Sequence, residues 1–139
     1  NPDDAQAIPT GEKRSVEGTP MDFRKPKPIG QDLHADYEPL KLQGGYDHNF
    51  EVFCSPCAQL TDPVSGRSMA VYTDCPGVQF YSGNFLNETG KGGVLYGKNS
   101  GVALETQFYP DAIHHPDWPQ PVTKAGEKYH SETVYRFHW

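Results

Sequence analysis

The chain has 139 residues, with 18 acidic against 12 basic side chains and a formal charge of −6. No basic patch is visible, which excludes nucleic acid and anionic membrane surfaces as partners. No run approaches the roughly 18 consecutive apolar residues of a membrane span, and the first residues lack the basic-then-apolar pattern of a signal peptide, so a soluble cytoplasmic protein is the expectation.

Residues 1–45 read as irregular, because Pro2, Pro9, Pro20, Pro26, Pro28 and Pro39 block any long helix or central strand. Met21, Phe23 and Ile29 are available to pin the basic stretch between them to a surface. From residue 46 the pattern turns to β-structure. A strand is expected over 49–60, a turn over Thr61-Asp-Pro-Val-Ser-Gly66, and a hairpin partner over 67–73. A short aromatic strand follows over 77–84, then a Gly-rich loop over 87–93. A strand over 101–108, a Pro/His/Trp loop over 110–121 and a closing strand over 131–137 complete the reading. Few stretches are both free of Pro and Gly and helically periodic, so the expected class is all-β, as sandwich or barrel sheets.

The core is thin. Val, Leu, Ile and Phe together fall just under about one-fifth of the residues, near the level at which burial ceases to offset chain entropy. The modest charge and the aromatic content of 12% argue against disorder. The opening Asn1-Pro2 carries neither an initiator Met nor a strand or helix signal. The expectation is a part of a larger protein whose strands complete their core against residues outside this sequence.

Two acids stand out. Glu105 lies in Gly101-Val-Ala-Leu-Glu-Thr-Gln107, otherwise a buried-strand pattern, where a carboxylate is costly unless its charge is used or neutralised. It is either a general base or nucleophile, with burial moving its pKa toward neutrality, or a strand carboxylate paired with Arg67 or Arg136. Asp47, in Gly44-Gly-Tyr-Asp-His-Asn-Phe50, is either a ligand-holding acid or ordinary turn chemistry capping local N–H groups. Gln79 alternates with Val78 and Phe80 and so points to the opposite face; its amide suits adjacent hydroxyls or a solvated surface. Phe80 and Tyr81 are either sugar-stacking rings or core. His48 reads as a packed or surface histidine. Cys54-Ser-Pro-Cys57 is a redox pair, half of a zinc site with Cys75 as a third sulfur, or a set of free thiols in a reducing compartment, the last being the favoured reading. For His114-His115, metal binding has no further support in the sequence.

Several segments together resemble the C-terminal portion of the aldose 1-epimerase (galactose mutarotase) family. They are Ile8-Pro-Thr-Gly-Glu12, Val16-Glu-Gly-Thr-Pro20 with Asp22-Phe23, Gly45-Tyr-Asp-His-Asn-Phe50, Pro76-Gly-Val-Gln-Phe-Tyr81 with Gly83-Asn-Phe-Leu86, and Leu104-Glu-Thr-Gln107. Pro110-Asp111, Gly126-Glu127 and Thr133-Val-Tyr-Arg-Phe137 extend the likeness to the end, in the family's order. The resemblance implies that residues 1–139 are the C-terminal part of a single domain, a large antiparallel β-sandwich left incomplete in this chain, with the N-terminal half absent. It implies Glu105 as the general base at the anomeric hydroxyl, with Asp47 and Gln79 holding sugar hydroxyls of an aldohexose such as galactose or glucose. No cofactor or metal is implied. The family's general acid is a histidine in an N-terminal motif that none of this chain's six histidines matches, so the missing half is the expected partner. Cys75 departs from the residue that members commonly carry before Pro-Gly. A glycoside hydrolase, which also uses two carboxylates, and a non-catalytic carbohydrate-binding sandwich are the alternatives.

Overall fold

The computed structural model describes residues 2–4 and 6–139. Within them the elements are α1 (Glu38–Gln43), β1 (Asp47–Glu51), β2 (Ala58–Thr61), β3 (Ser68–Thr73), β4 (Gly77–Tyr81), β5 (Glu88–Thr89), β6 (Leu95–Tyr96), β7 (Ala103–Gln107) and β8 (Thr133–His138). The sheets have strand orders β1-β4-β7, β2-β3-β8 and β5-β6. This is the expected all-β class, with antiparallel pairing at β2-β3, β3-β8 and β5-β6.

Three elements depart from the sequence expectation. The single strand over 49–60 is two strands, β1 and β2, separated by bends around Pro56. The Val52 N–H bonds the Pro76 carbonyl at 2.9 Å, whereas the Cys57 N–H bonds the Val71 carbonyl at 2.8 Å. The chain thus exchanges one neighbour for another, and a residue that cannot donate to a ladder sits at the exchange. Residues 1–45 are not irregular throughout. Pro39 stands in the first turn of α1, where its missing N–H costs nothing. Gly44 ends that helix in the left-handed region, and Gly45 N–H reaches the Leu40 carbonyl at 2.9 Å, closing a Schellman motif. The Gly-rich loop over 87–93 contains β5 and a 3-10 turn at Lys91–Gly93, which returns the chain to β6. Two-residue strands are too short for periodicity to reveal.

The chain divides into two compact units, Asn1–Asn49 with Gln79–Ala103, and Phe50–Val78 with Leu104–Trp139. The first is built on an aromatic trio. Tyr46 is wholly buried and stacks on Phe80 with ring centroids 5.1 Å apart. Phe23 meets both rings edge-on, at 5.1 Å and 5.5 Å. Such contacts each add about 0.5–1.5 kcal/mol to what area burial supplies. The Pro-rich segment is therefore held down by Phe23 and by buried Met21, as the sequence suggests. The Tyr46 hydroxyl and Lys27 Nζ both donate to the Pro20 carbonyl, at 3.0 Å and 2.6 Å.

The second unit contains the sheet β2-β3-β8. Its register places Ala58 opposite Val71, Leu60 opposite Met69, and Val71 and Met69 opposite Tyr135 and Phe137. These six side chains share one face because side chains alternate along each strand. Val71, in the central strand, is fully buried, yet Phe137 remains 60% exposed. On the other face the Arg136 guanidinium lies over the Tyr72 ring, 5.0 Å from its centroid. A separate small core packs Tyr109 and Ala112 around Trp118.

Candidate active site

In the first unit, Asp47 is the first residue of β1 and is half-buried. Its carboxylate does not cap a local turn. Oδ1 instead accepts from Gln79 Nε2 on β4 at 2.9 Å, joining two residues that are 32 apart in the chain. Gln79 is half-buried between buried Val78 and Phe80, which is the alternation read from the sequence.

The turn that delivers Asp47 is braced by buried polar side chains. Ser82 Oγ accepts from the Tyr46 N–H at 3.0 Å and gives its proton to Asn84 Oδ1 at 2.6 Å. Asn84 Nδ2 donates to the carbonyls of Gln43 and Tyr46, at 2.9 Å and 3.0 Å. Asn99 Nδ2 donates to the Ser82 carbonyl at 2.7 Å. Gly45 is required here: its φ is +148°, and a Cβ on it would lie 2.2 Å from Asn84 Oδ1. Sequence reasoning missed Ser82, Asn84 and Asn99. Asn84 stands within Gly83-Asn-Phe-Leu86, but nothing in that string shows that the amide is buried.

His48 is 2% exposed. Its Nδ1 accepts the Asp47 N–H at 3.0 Å, so the ring is neutral with its proton on Nε2. Burial, and after it the positive amino-terminal charge, pushes its pKa down from the ordinary 6.5 to about 4, partly offset by the Pro39 carbonyl. Asp3 moves the other way, up to about 6, chiefly by burial and also through the neighbouring Asp47 charge. Phe80 belongs to the core stack, so it is not a free platform for a sugar. The Tyr81 hydroxyl accepts the Phe85 N–H at 2.8 Å.

In the second unit, Glu105 sits on β7. The expectation of a buried strand fails here: Glu105 is exposed and its neighbours are only half-buried. The ion pair with Arg67 or Arg136 is also absent, and among the described residues the Glu105 carboxylate has no hydrogen-bond or ion-pair partner. β7 itself is tied to β8. Thr133 Oγ1 lies 2.6 Å from Thr106 Oγ1 and 3.2 Å from Thr73 Oγ1, and the Tyr135 hydroxyl donates to the Leu104 carbonyl at 3.1 Å.

Cys54, Cys57 and Cys75 are free thiols, of which Cys54 is exposed and Cys75 buried. Burial raises the Cys57 pKa, which is contrary to the activation expected of a redox nucleophile. Among the described residues no group of three or more His, Cys, Asp or Glu side chains is placed to hold a metal ion. His114 Nδ1 pairs with Asp111 Oδ1, and His115 stacks on Trp118 with centroids 4.2 Å apart.

The family model of aldose 1-epimerase matches residues 2–136. The chain belongs to the aldose 1-epimerase family. It is similar to galactose mutarotase from Homo sapiens, 44% identical across 98% of this chain and 40% of that protein. It is also similar to aldose 1-epimerase from Escherichia coli K12, 40% identical across 98% of this chain and 41% of that protein. Among solved structures, an aldose epimerase homologue from C. elegans superposes with a TM-score of 0.78 at 27% identity, covering 98% of this chain and 42% of that one. The galactose 1-epimerase of Lactobacillus acidophilus gives 0.77 at 31% identity, covering 99% and 40%. The chain therefore spans about two-fifths of the length of these epimerases, and its sheets follow the galactose mutarotase-like fold. The glycoside hydrolase and binding-module readings find no support among them.

Proposed function

We propose that the protein carrying this chain is an aldose 1-epimerase that interconverts the α and β anomers of an aldohexose such as galactose or glucose. The observation that carries the reading is the Asp47–Gln79 hydrogen bond, which sets a carboxylate and an amide side by side on a braced turn. Together they offer both acceptors and donors to neighbouring sugar hydroxyls. Glu105, an exposed carboxylate without an ion-pair partner among the described residues, takes the proton from the anomeric O1 as general base. A general acid protonates the ring oxygen as the C1–O5 bond breaks. Rotation about C1–C2 then turns the other face of the aldehyde to O5, and reclosure with the proton roles reversed yields the other anomer. Protons balance, and no redox partner is consumed.

On this reading residues 1–139 are the C-terminal part of one epimerase domain, and the acid lies on an N-terminal half outside them. The half-exposed face of β2-β3-β8 supports such a partner, because Phe137 and Tyr135 gain from being covered. Free Cys54, Cys57 and Cys75 suit a reducing cytoplasm. No helix among the described residues is long and apolar enough to cross a membrane.

Polarimetry of freshly dissolved α-galactose or α-glucose tests the proposal. Glu105→Gln in the full-length protein should lower the rate by roughly 10²–10⁴, and a variant near wild-type activity would remove Glu105 as the base. The 139-residue chain alone should show little activity; full activity from it would overturn the placement of the acid elsewhere.

A further inference from the structure

His48 is the one described side chain with a fully buried nitrogen that has no hydrogen-bond partner among the described residues. That nitrogen is Nε2, the position that must carry the ring proton because Nδ1 is occupied as the acceptor of the Asp47 N–H. The Pro39 carbonyl draws on that proton without completing a hydrogen bond, and a poorly satisfied buried donor is a cost that an apolar side chain of similar shape would avoid. The compensating contact is the Nδ1 bond, so what the imidazole does here is hold one backbone amide.

That amide belongs to the peptide unit that leads into the sugar-facing carboxylate. The same unit's carbonyl, on Tyr46, accepts from Asn84 Nδ2 at 3.0 Å and from the Ser82 N–H at 2.9 Å. The Tyr46–Asp47 peptide is thus gripped at both its C=O and its N–H. With both ends fixed, the plane cannot rotate, and the direction in which the Asp47 side chain leaves the strand is set. Gln79 then fixes the carboxylate's own torsion.

We propose that His48 is a positioning residue of the sugar site: its neutral imidazole, through Nδ1, locks the Tyr46–Asp47 peptide and thereby aims the Asp47 carboxylate at the substrate. The inference rests on the assignment of Asp47 to sugar binding. Asparagine is the informative replacement, since its Oδ1 occupies nearly the place of Nδ1 and can accept the same N–H. Glutamine reaches the Nε2 position instead, and leucine offers no acceptor at all.

Steady-state mutarotation by the full-length protein is measured for wild type and for His48→Asn, His48→Leu, Asp47→Asn and the pair Asp47→Asn/His48→Leu. His48→Leu should raise KM by roughly three- to tenfold, the worth of one hydrogen bond, with a smaller change in kcat. His48→Asn should recover most of that loss. In the Asp47→Asn background, His48→Leu should add little, because the carboxylate it aims has gone. A KM raised by Asp47→Asn and untouched by His48→Leu would overturn the positioning role alone. An unchanged KM in Asp47→Asn would overturn both that role and the sugar-site reading. Should His48→Leu fail to fold, ¹⁵N spectra of the imidazole in the wild-type protein decide the matter. The proposal requires an unprotonated Nδ1 and a protonated Nε2, and a protonated Nδ1 would overturn it.

Discussion

Glu105 and His48 exchange the environments that their neighbours in the sequence suggest. Glu105 sits in an apolar pattern and is exposed, whereas His48 sits among polar residues and is buried. Each outcome follows from what packs against the strand, which a string of residues does not state. The burial of His48 has a thermodynamic signature. Its pKa is about 4 in this chain against an ordinary 6.5, through burial first and the amino-terminal charge second, with the Pro39 carbonyl opposing both. Between about pH 6.5 and 4 the unfolded chain therefore binds a proton that the folded one refuses. The stabilisation is complete above that window, falls as pH drops through it, and levels off below about 4. Asp3 acts in the opposite sense. With its pKa raised from 3.8 to about 6, it favours the fold at low pH and loses that contribution as pH rises through about 6. The two slopes oppose one another between about pH 4 and 6. Urea midpoints of the full-length protein across this range should therefore show a steeper acid-side fall in Asp3→Asn than in wild type, and a shallower one in His48→Asn. Parallel profiles in all three would mean that neither group is perturbed as described.

At the level of elements, β8 does more than close a sheet. It pairs with all of β3 from Ser68 to Thr73, and its first residue, Thr133, links two other strands through its hydroxyl. Thr106, the partner on β7, is adjacent to Glu105 and alternates to the opposite face, so the hydroxyl bridge fixes the strand behind the proposed base. Replacing Thr133 by Val keeps the shape and removes the bridge, leaving the Thr106 and Thr73 hydroxyls to find other partners. The expected cost is about 1–2 kcal/mol in the unfolding free energy of the full-length protein, with Thr133→Ser close to wild type. Equal midpoints for the Val and Ser variants would show that the bridge contributes nothing. The division of 49–60 into β1 and β2 has the same kind of origin: Pro56 gives a local reason for a break, but only the alternate pairing partners at Val52 and Cys57 make two strands of it.

For the molecule as a whole, the exposed apolar side chains have a consequence. Phe137 at 60%, Tyr135 at 43% and Trp139 at 94% exposure lie on or directly after β8. The 139-residue chain, expressed alone, should bind a hydrophobic dye and self-associate, and Phe137→Lys should reduce both. Monodisperse monomers by light scattering, with no dye binding, would contradict this. The sequence by itself determined the all-β class, because short alternating runs between Pro and Gly turns leave little room for helices. Its ordered motifs also carried the aldose 1-epimerase resemblance, since family motifs are local strings. Gln79's alternation with Val78 and Phe80 was legible for the same local reason. The tertiary structure alone decided that Asp47 bonds Gln79 across 32 residues, that Phe80 is core, that Glu105 is exposed, and that His48 is buried and neutral. Burial and long-range hydrogen bonding are properties of what the fold brings beside a residue, as with Asp47 and Gln79, which stand 32 positions apart along the chain.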